Sequence, residues 1–174
     1  MFRQKKALFL DRDGVLNKPY KDRPPWEISE IKIYRESWQI IQIAKAHDYI
    51  PIVVTNQPDA ARGHISMEKL LQINQEICKK LLIENSYICT HGYDNMCACR
   101  KPKPGMLLKA TSEIGLDLSK SYIIGDRLKD IEAGRNAGCK TIYLNNTQSN
   151  LANYNVSNHK VLIKLIKKLL IEVY

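Results

Sequence analysis

What the sequence has little of narrows its reading first. No apolar run approaches the length of about 20 residues that a bilayer span takes. Aromatic residues make up only 7% of the 174, as Phe2, Phe9, nine tyrosines and two tryptophans. No basic stripe is interleaved with them, which argues against a nucleic-acid surface built on stacked bases. Acidic residues are outnumbered, 18 against 27 Lys and Arg, so the formal net charge is +9. Such a balance favours an anionic partner: nucleic acid, a membrane surface or a phosphorylated metabolite. Internal repeats and low-complexity tracts are absent. The stretch "MFRQKKALFL" is basic and then apolar, but its apolar part is too short for a secretory signal, so a cytoplasmic location is expected. Five cysteines are an odd number, and three of them lie within eleven residues beside a histidine. That spacing reads as metal ligation in a reducing compartment rather than a disulfide framework.

What is there alternates. The runs "ALFL", "IPIVV", "YIC", "SYIIG" and "TIYL" have no polar face, as expected of strands covered on both sides. Helices are predicted near 35–48, over 67–82 behind a Ser66 cap, from Pro104 onward, and over 129–137 before Gly138. "NNTQSNLANYNVSN" reads as a loose polar loop before an amphipathic helix over about 159–173. There Lys160, Lys164, Lys167, Lys168 and Glu172 oppose Val161, Leu162, Leu165, Ile166, Leu169 and Val173; the apolar face is expected to dock on a sheet rather than a membrane. The length suits one α/β domain over 1–174: a single doubly wound, Rossmann-like parallel sheet with helices on both faces. Such sheets bind ligands beyond the carboxyl ends of their strands.

Strand ends are where the polar residues stand out. "ALFL" leads into Asp11 and Asp13, "PIVV" into Thr55 and Asn56, and "YIIG" into Asp126, while Lys101 follows the cysteines. Charge at the end of a buried run is costly unless something uses it. Two positions along an extended chain return to one face, so Asp11 and Asp13 share a pocket and Arg12 points elsewhere. The set suits a phosphate and a hard cation: carboxylates for magnesium, a hydroxyl and an ammonium for phosphoryl oxygens, and a spare carboxylate as nucleophile. Any one Asp alone reads equally as a turn former or helix cap; the combination points to chemistry. Cys89, His91, Cys97 and Cys99 in "CTHGYDNMCAC" supply three thiolates and an imidazole, a tetrahedral zinc set. With no open position the ion is structural, fixing loop 89–99 and the Arg100 and Lys101 that follow. Cys78 and Cys139 read as small core residues.

The segments "DRDGVLN", "VVTNQ", "CRKPKPG" and "IGDRLKD" resemble, in order and spacing, the four signatures of the haloacid dehalogenase superfamily of phosphatases. The likeness runs to about Leu144. "TNQPDAARG" and the cysteine loop resemble the small uncapped group of that superfamily that holds heptose 1,7-bisphosphate phosphatases and the phosphatase domain acting on histidinol phosphate. The resemblance implies that Asp11 is the nucleophile and forms an aspartyl phosphate, and that Asp13 is the general acid and base. It implies that Thr55 and Lys101 hold the phosphoryl group, and that Asp11, Asp13 and Asp126, supported by Asp130, hold magnesium. Substrate contacts are expected from Asn56, Arg62, Arg100 and Arg127. The implied activity is a magnesium-dependent phosphomonoesterase on a small metabolite, first the C7 phosphate of D-glycero-D-manno-heptose 1,7-bisphosphate on the way to lipopolysaccharide. Histidinol phosphate or another sugar phosphate is the alternative; a nucleic-acid 3′-phosphatase or nucleic-acid binder represents another class. The chain departs from commoner relatives at "NQPD", where many have a Ser-Gly pair, and at Arg127, where a lysine is frequent; both changes bear on the substrate. Pro24, Pro25 and Trp26 stiffen the loop that in the family lies over the mouth of the site. Without a cap domain, a monomer is expected.

Overall fold

The computed structural model describes residues 4–92 and 95–171. Six strands form one sheet: β1 (Lys6–Leu10), β2 (Tyr49–Asn56), β3 (Asn85–Cys89), β4 (Tyr122–Gly125), β5 (Lys140–Leu144) and β6 (Tyr154–Val156). Their order is β3-β2-β1-β4-β5-β6 and every neighbouring pair is parallel. Five helices fill the connections: α1 (Arg35–Ala46), α2 (Met67–Leu81), α3 (Gly105–Ile114), α4 (Leu128–Ala137) and α5 (His159–Ile171).

Alternation along β1 shows why both faces are covered. Leu8 and Leu10 enter one buried cluster with Ile40 and Ile41 of α1, Ile73 and Ile77 of α2, and Leu162 and Ile166 of α5. Ala7 and Phe9 enter the other, with Met106 and Leu107 of α3 and Ala133 of α4. Phe9 is fully buried, so truncating it to alanine would cost about 3–5 kcal/mol. α2 begins where Ser66 Oγ accepts from Lys69 N at 3.1 Å, as its sequence predicts. α5 packs on α1 and keeps Lys160, Lys164, Lys167 and Lys168 in solvent. Glu172 and Val173, placed on that helix by sequence, lie outside the described residues. Among the described residues no helix is long and apolar enough to cross a membrane.

One expectation is corrected. The tract predicted as a loose loop contains β6, an edge strand that buries Val156 in the first cluster. Its asparagines are spent on local bonds: Asn153 Oδ1 accepts from Thr141 N at 2.8 Å, and Asn155 Oδ1 from Ser149 N at 2.9 Å.

The chain runs outward through β2 and β3, then returns past β1 to β4. The crevice this reversal leaves at the carboxyl ends of β1, β2 and β4 is the position where open α/β sheets bind ligands. Over it lies the 11–34 connection, which carries only a short 3-10 turn (Ile28–Glu30) and no inserted cap.

Candidate active site

At the floor of the crevice Lys101 is buried, with its Nζ 2.6 Å from Asp11 Oδ1 and 2.6 Å from Asp130 Oδ1. It also donates to the Val54 carbonyl at 2.7 Å. Burial works against the Lys101 charge, yet Asp11 and Asp130 overrule it and raise its pKa. Asp11 is pushed up by burial and pulled back by Lys101. Asp126 is pushed up to about 7, first by burial and then by the charges of Asp11 and Asp130. Its Oδ1 is buried with no hydrogen-bond partner. Carboxylate oxygens of Asp11, Asp126 and Asp130 lie within 4.8 Å of one another. Three clustered acids, only two of them paired with the Lys101 ammonium and the third with a buried oxygen lacking any hydrogen bond, fit a hard divalent cation. Asp130 is already committed, to Lys101 and to the Arg127 N–H at 3.1 Å, so Asp11 and Asp126 hold the open capacity.

Two glycines make this crowding possible. Gly14 has φ +98°, and a Cβ there would run into the Asp126 carboxylate. A Cβ on Gly125 would collide with the Asp130 side chain.

Asp13 lines the same cavity as Asp11, but its carboxylate stands apart from the acidic group. Asp13 Oδ2 accepts from Arg12 Nε and Nη2 at 3.1 and 2.9 Å and from Gln57 Nε2 at 2.7 Å, while Oδ1 accepts from Asn17 at 2.9 Å. Arg12 is buried and absent from the cavity lining, as alternation predicts, but its long side chain reaches round to pair with Asp13. Gln57 Nε2 also donates to Thr55 Oγ1 at 2.9 Å, so that hydroxyl keeps its own proton for another acceptor. Asn56 brackets the Lys101 backbone, donating to its carbonyl at 3.0 Å and accepting from its N–H at 3.1 Å. Its amide is thus spent on positioning Lys101.

Above the floor opens a cavity of about 340 Å³, lined by Arg62, Arg100 and Arg127 with Thr55 and Asn56, and on the loop side by Pro19, Arg23, Pro24 and Trp26. Trp26 Nε1 donates to Asp59 Oδ2 at 3.0 Å, tying that loop to the β2–α2 connection. Asp59 also faces His64 at 3.8 Å and Arg62 at 3.9 Å. Arg23 stacks on the Trp26 ring and pairs with Glu30 at 2.8 Å, and Glu30 is held down at about 2, first by that hydrogen bond. Sequence reading missed Gln57, Asp59 and Lys129; the last lines the cavity and has its pKa lowered chiefly by burial. Gln57 had a signal available, since it stands two residues beyond Thr55 on an extended segment and so shares its face.

The predicted zinc residues do converge. Ligand atoms of Cys89, His91, Cys97 and Cys99 lie within 4.8 Å of one another. The Cys89–Cys97 sulfurs are 3.8 Å apart, and His91 Nδ1 is 3.6 Å from Cys89 Sγ and 3.2 Å from Cys99 Sγ. A tetrahedron with bonds of about 2.3 Å to sulfur has edges of about 3.8 Å, so this donor set could hold a metal ion. Burial and the two adjacent thiols push Cys99 up to about 12. Arg100 Nη1 donates to the His91 carbonyl at 3.0 Å and Lys103 Nζ to the Cys97 carbonyl at 2.7 Å, so the cluster anchors the segment that delivers Lys101.

Comparison with known proteins bears on this arrangement. A family model described as HAD-hydrolase-like matches residues 98–163. The D-glycero-beta-D-manno-heptose-1,7-bisphosphate 7-phosphatase of Pasteurella multocida is 36% identical over 95% of this chain and 98% of its own. The chain belongs to the haloacid dehalogenase superfamily of phosphatases. It is accordingly a phosphoric monoester hydrolase. The D-glycero-alpha-D-manno-heptose-1,7-bisphosphate 7-phosphatase of Campylobacter jejuni is also 36% identical, covering 82% of this chain and 84% of its own. In three dimensions the D,D-heptose 1,7-bisphosphate phosphatase of B. bronchiseptica, solved with magnesium and phosphate, superposes with a TM-score of 0.82. That pair shares 28% identity over 94% of this chain and 98% of the other. This haloacid dehalogenase phosphatase therefore shares its fold with a D,D-heptose 1,7-bisphosphate phosphatase.

Proposed function

We propose that this phosphatase removes the C7 phosphate of D-glycero-D-manno-heptose 1,7-bisphosphate through an aspartyl-phosphate intermediate. The observation that carries the chemistry is Asp11 held ionised by a buried Lys101 beside the orphaned oxygen of Asp126. The substrate rests on relatives similar along nearly the whole chain. Asp11 attacks phosphorus in line, and the bond from phosphorus to the sugar oxygen breaks. Asp13 gives its proton to that leaving oxygen. Asp13, now ionised, takes a proton from the water that attacks the aspartyl phosphate, which frees inorganic phosphate and restores Asp11. Thr55 donates its spare hydroxyl proton to a phosphoryl oxygen, and Lys101 supplies positive charge at the nucleophile. Gln57 and Arg12 hold Asp13 in its place.

Asp11 and Asp126 would hold magnesium, which when bound neutralises charge on the phosphoryl oxygens. Cys89, His91, Cys97 and Cys99 would hold a structural zinc. Arg62, Arg100 and Arg127 face the remainder of the substrate. Reduced thiols in the cluster suit the cytoplasm, and the expected oligomeric state is a monomer.

Phosphate release in magnesium tests the reading, with both heptose 1,7-bisphosphate anomers, histidinol phosphate, other sugar phosphates and a 3′-phosphorylated oligonucleotide as the panel. The expected result is strong preference for one heptose anomer. Faster turnover of histidinol phosphate or the oligonucleotide overturns the substrate and keeps the mechanism. A chelator strong enough to strip zinc should lower Tm and turnover together, and zinc should restore both.

A further inference from the structure

The excess charge of +9 does not lie at the catalytic cavity, whose lining sets five Arg and Lys side chains against four Asp. It gathers on α5. Between His159 and Ile171 that helix carries Lys160, Lys164, Lys167 and Lys168 and no acidic residue. At 3.6 residues per turn the four fall within about 100° of one another around the axis and spread over about 12 Å along it. All four are exposed. Lysines elsewhere on the surface have carboxylate partners: Lys69 with Glu27, Lys80 with Glu76, Lys109 with Glu113 and Lys120 with Asp117. On α5 none of the four ammonium groups has an ion pair, hydrogen bond or ring contact with a described residue. Like charges four residues apart destabilise a helix, and Lys160–Lys164 and Lys164–Lys168 are both such pairs. The helix is held instead by its other side, where Leu162, Ile166 and Leu170 are buried against the sheet. Val161 and Ile171 stand exposed at the two ends of α5.

We propose that the lysine face of α5 docks this phosphatase on a bilayer surface rich in anionic phospholipid. The ammonium groups meet headgroup phosphates, while their stems and the two exposed aliphatic side chains reach the acyl boundary. Four lysines on one face make a cluster of the size that anionic leaflets attract, each adding about fivefold to affinity. A nucleic acid fits the face less well, because α5 offers no aromatic ring for a base and no guanidinium fork for a phosphate. The helix covers a face of the sheet, whereas the crevice opens at the carboxyl ends of the strands, so the docked protein keeps its catalytic cavity open to water.

Co-sedimentation of the full chain with phosphatidylcholine vesicles, with and without phosphatidylglycerol, tests it. The expected result is binding to the anionic vesicles alone, lost as salt rises. Lys160→Gln, Lys164→Gln, Lys167→Gln and Lys168→Gln together should weaken that binding by about 100-fold or more, with phosphate release unchanged and Tm no lower. The same change of charge made elsewhere, by Lys69→Gln, Lys80→Gln, Lys109→Gln and Lys120→Gln together, should weaken it less than about fivefold. No binding to anionic vesicles at low salt, equal binding to neutral ones, or equal losses in the two fourfold variants would each overturn the assignment. Duplex DNA that binds more tightly than the vesicles and displaces them would overturn it too, and would make the face a nucleic-acid surface.

Discussion

At the floor of the cleft Lys101 sits with no exposed side-chain surface between two carboxylates, whereas at the rim Arg62 and His64 keep 40% and 48% of theirs in solvent around Asp59. The floor groups hang from the ends of β1, β2 and β4, from the first turn of α4 or from the cluster-anchored segment after β3; the rim groups come from two loops joined by the Trp26 indole hydrogen bond and the Trp26–His64 ring contact. Charges at the floor act at low dielectric, and removing Lys101 would leave two buried carboxylates unpaired. Rim charges are screened by water, so changing them alters affinity more than folding or chemistry.

Five variants probe that contrast. Asp11→Asn should lower turnover by more than about 10⁴-fold while the protein stays folded, because Lys101 keeps Asp130; phosphate release and thermal denaturation check both halves. Lys101→Ala should cost about 3–5 kcal/mol in urea unfolding, since it strands two buried carboxylates. Arg62→Ala, on the wall of the same cavity, should move stability by less than about 0.5 kcal/mol.

Acidity gives the fourth. Asp126 is raised in the folded protein from 3.8 to about 7, so without metal its stability contribution is greatest below about pH 4 and lost as pH rises through 7. Metal-free Asp126→Asn should therefore gain in Tm on wild type between pH 4 and 8, and magnesium should reverse that gain for wild type only. A difference in Tm that ignores pH would remove burial as the cause. The bond that joins the two rim loops is expected to matter less than the floor. Trp26→Phe keeps the ring but deletes the donor to Asp59, which should cost about 1 kcal/mol and raise KM a few-fold with kcat unchanged.

Much of the floor was legible because its residues terminate apolar runs. Asp11 and Asp126 each follow a strand, Thr55 closes an apolar run near the end of β2, and five of the six strands were visible as apolar runs. β6 was not, because its three residues carry one buried side chain amid asparagines whose bonds are local. The Arg12–Asp13 pair was not legible, because alternation fixes where a side chain leaves the backbone, not where a long one ends. The Trp26–Asp59 bond spans 33 residues between two loops without periodicity, so no local pattern announces it. Lys129 looked like any helix-surface lysine until the cavity wall was seen.

The separate origin of floor and rim has a consequence for how such a molecule can change over generations. Reacting groups borrowed from strand ends are inherited together with the core, since altering their spacing means repacking the sheet. Loop residues such as Asp59, Arg62 and Trp26 can be exchanged without that penalty, one at a time. A chain built this way is free to explore new phosphate esters while its bond-breaking apparatus stays intact, and directed variation confined to 19–26 and 58–64 is where a laboratory would look for altered substrates.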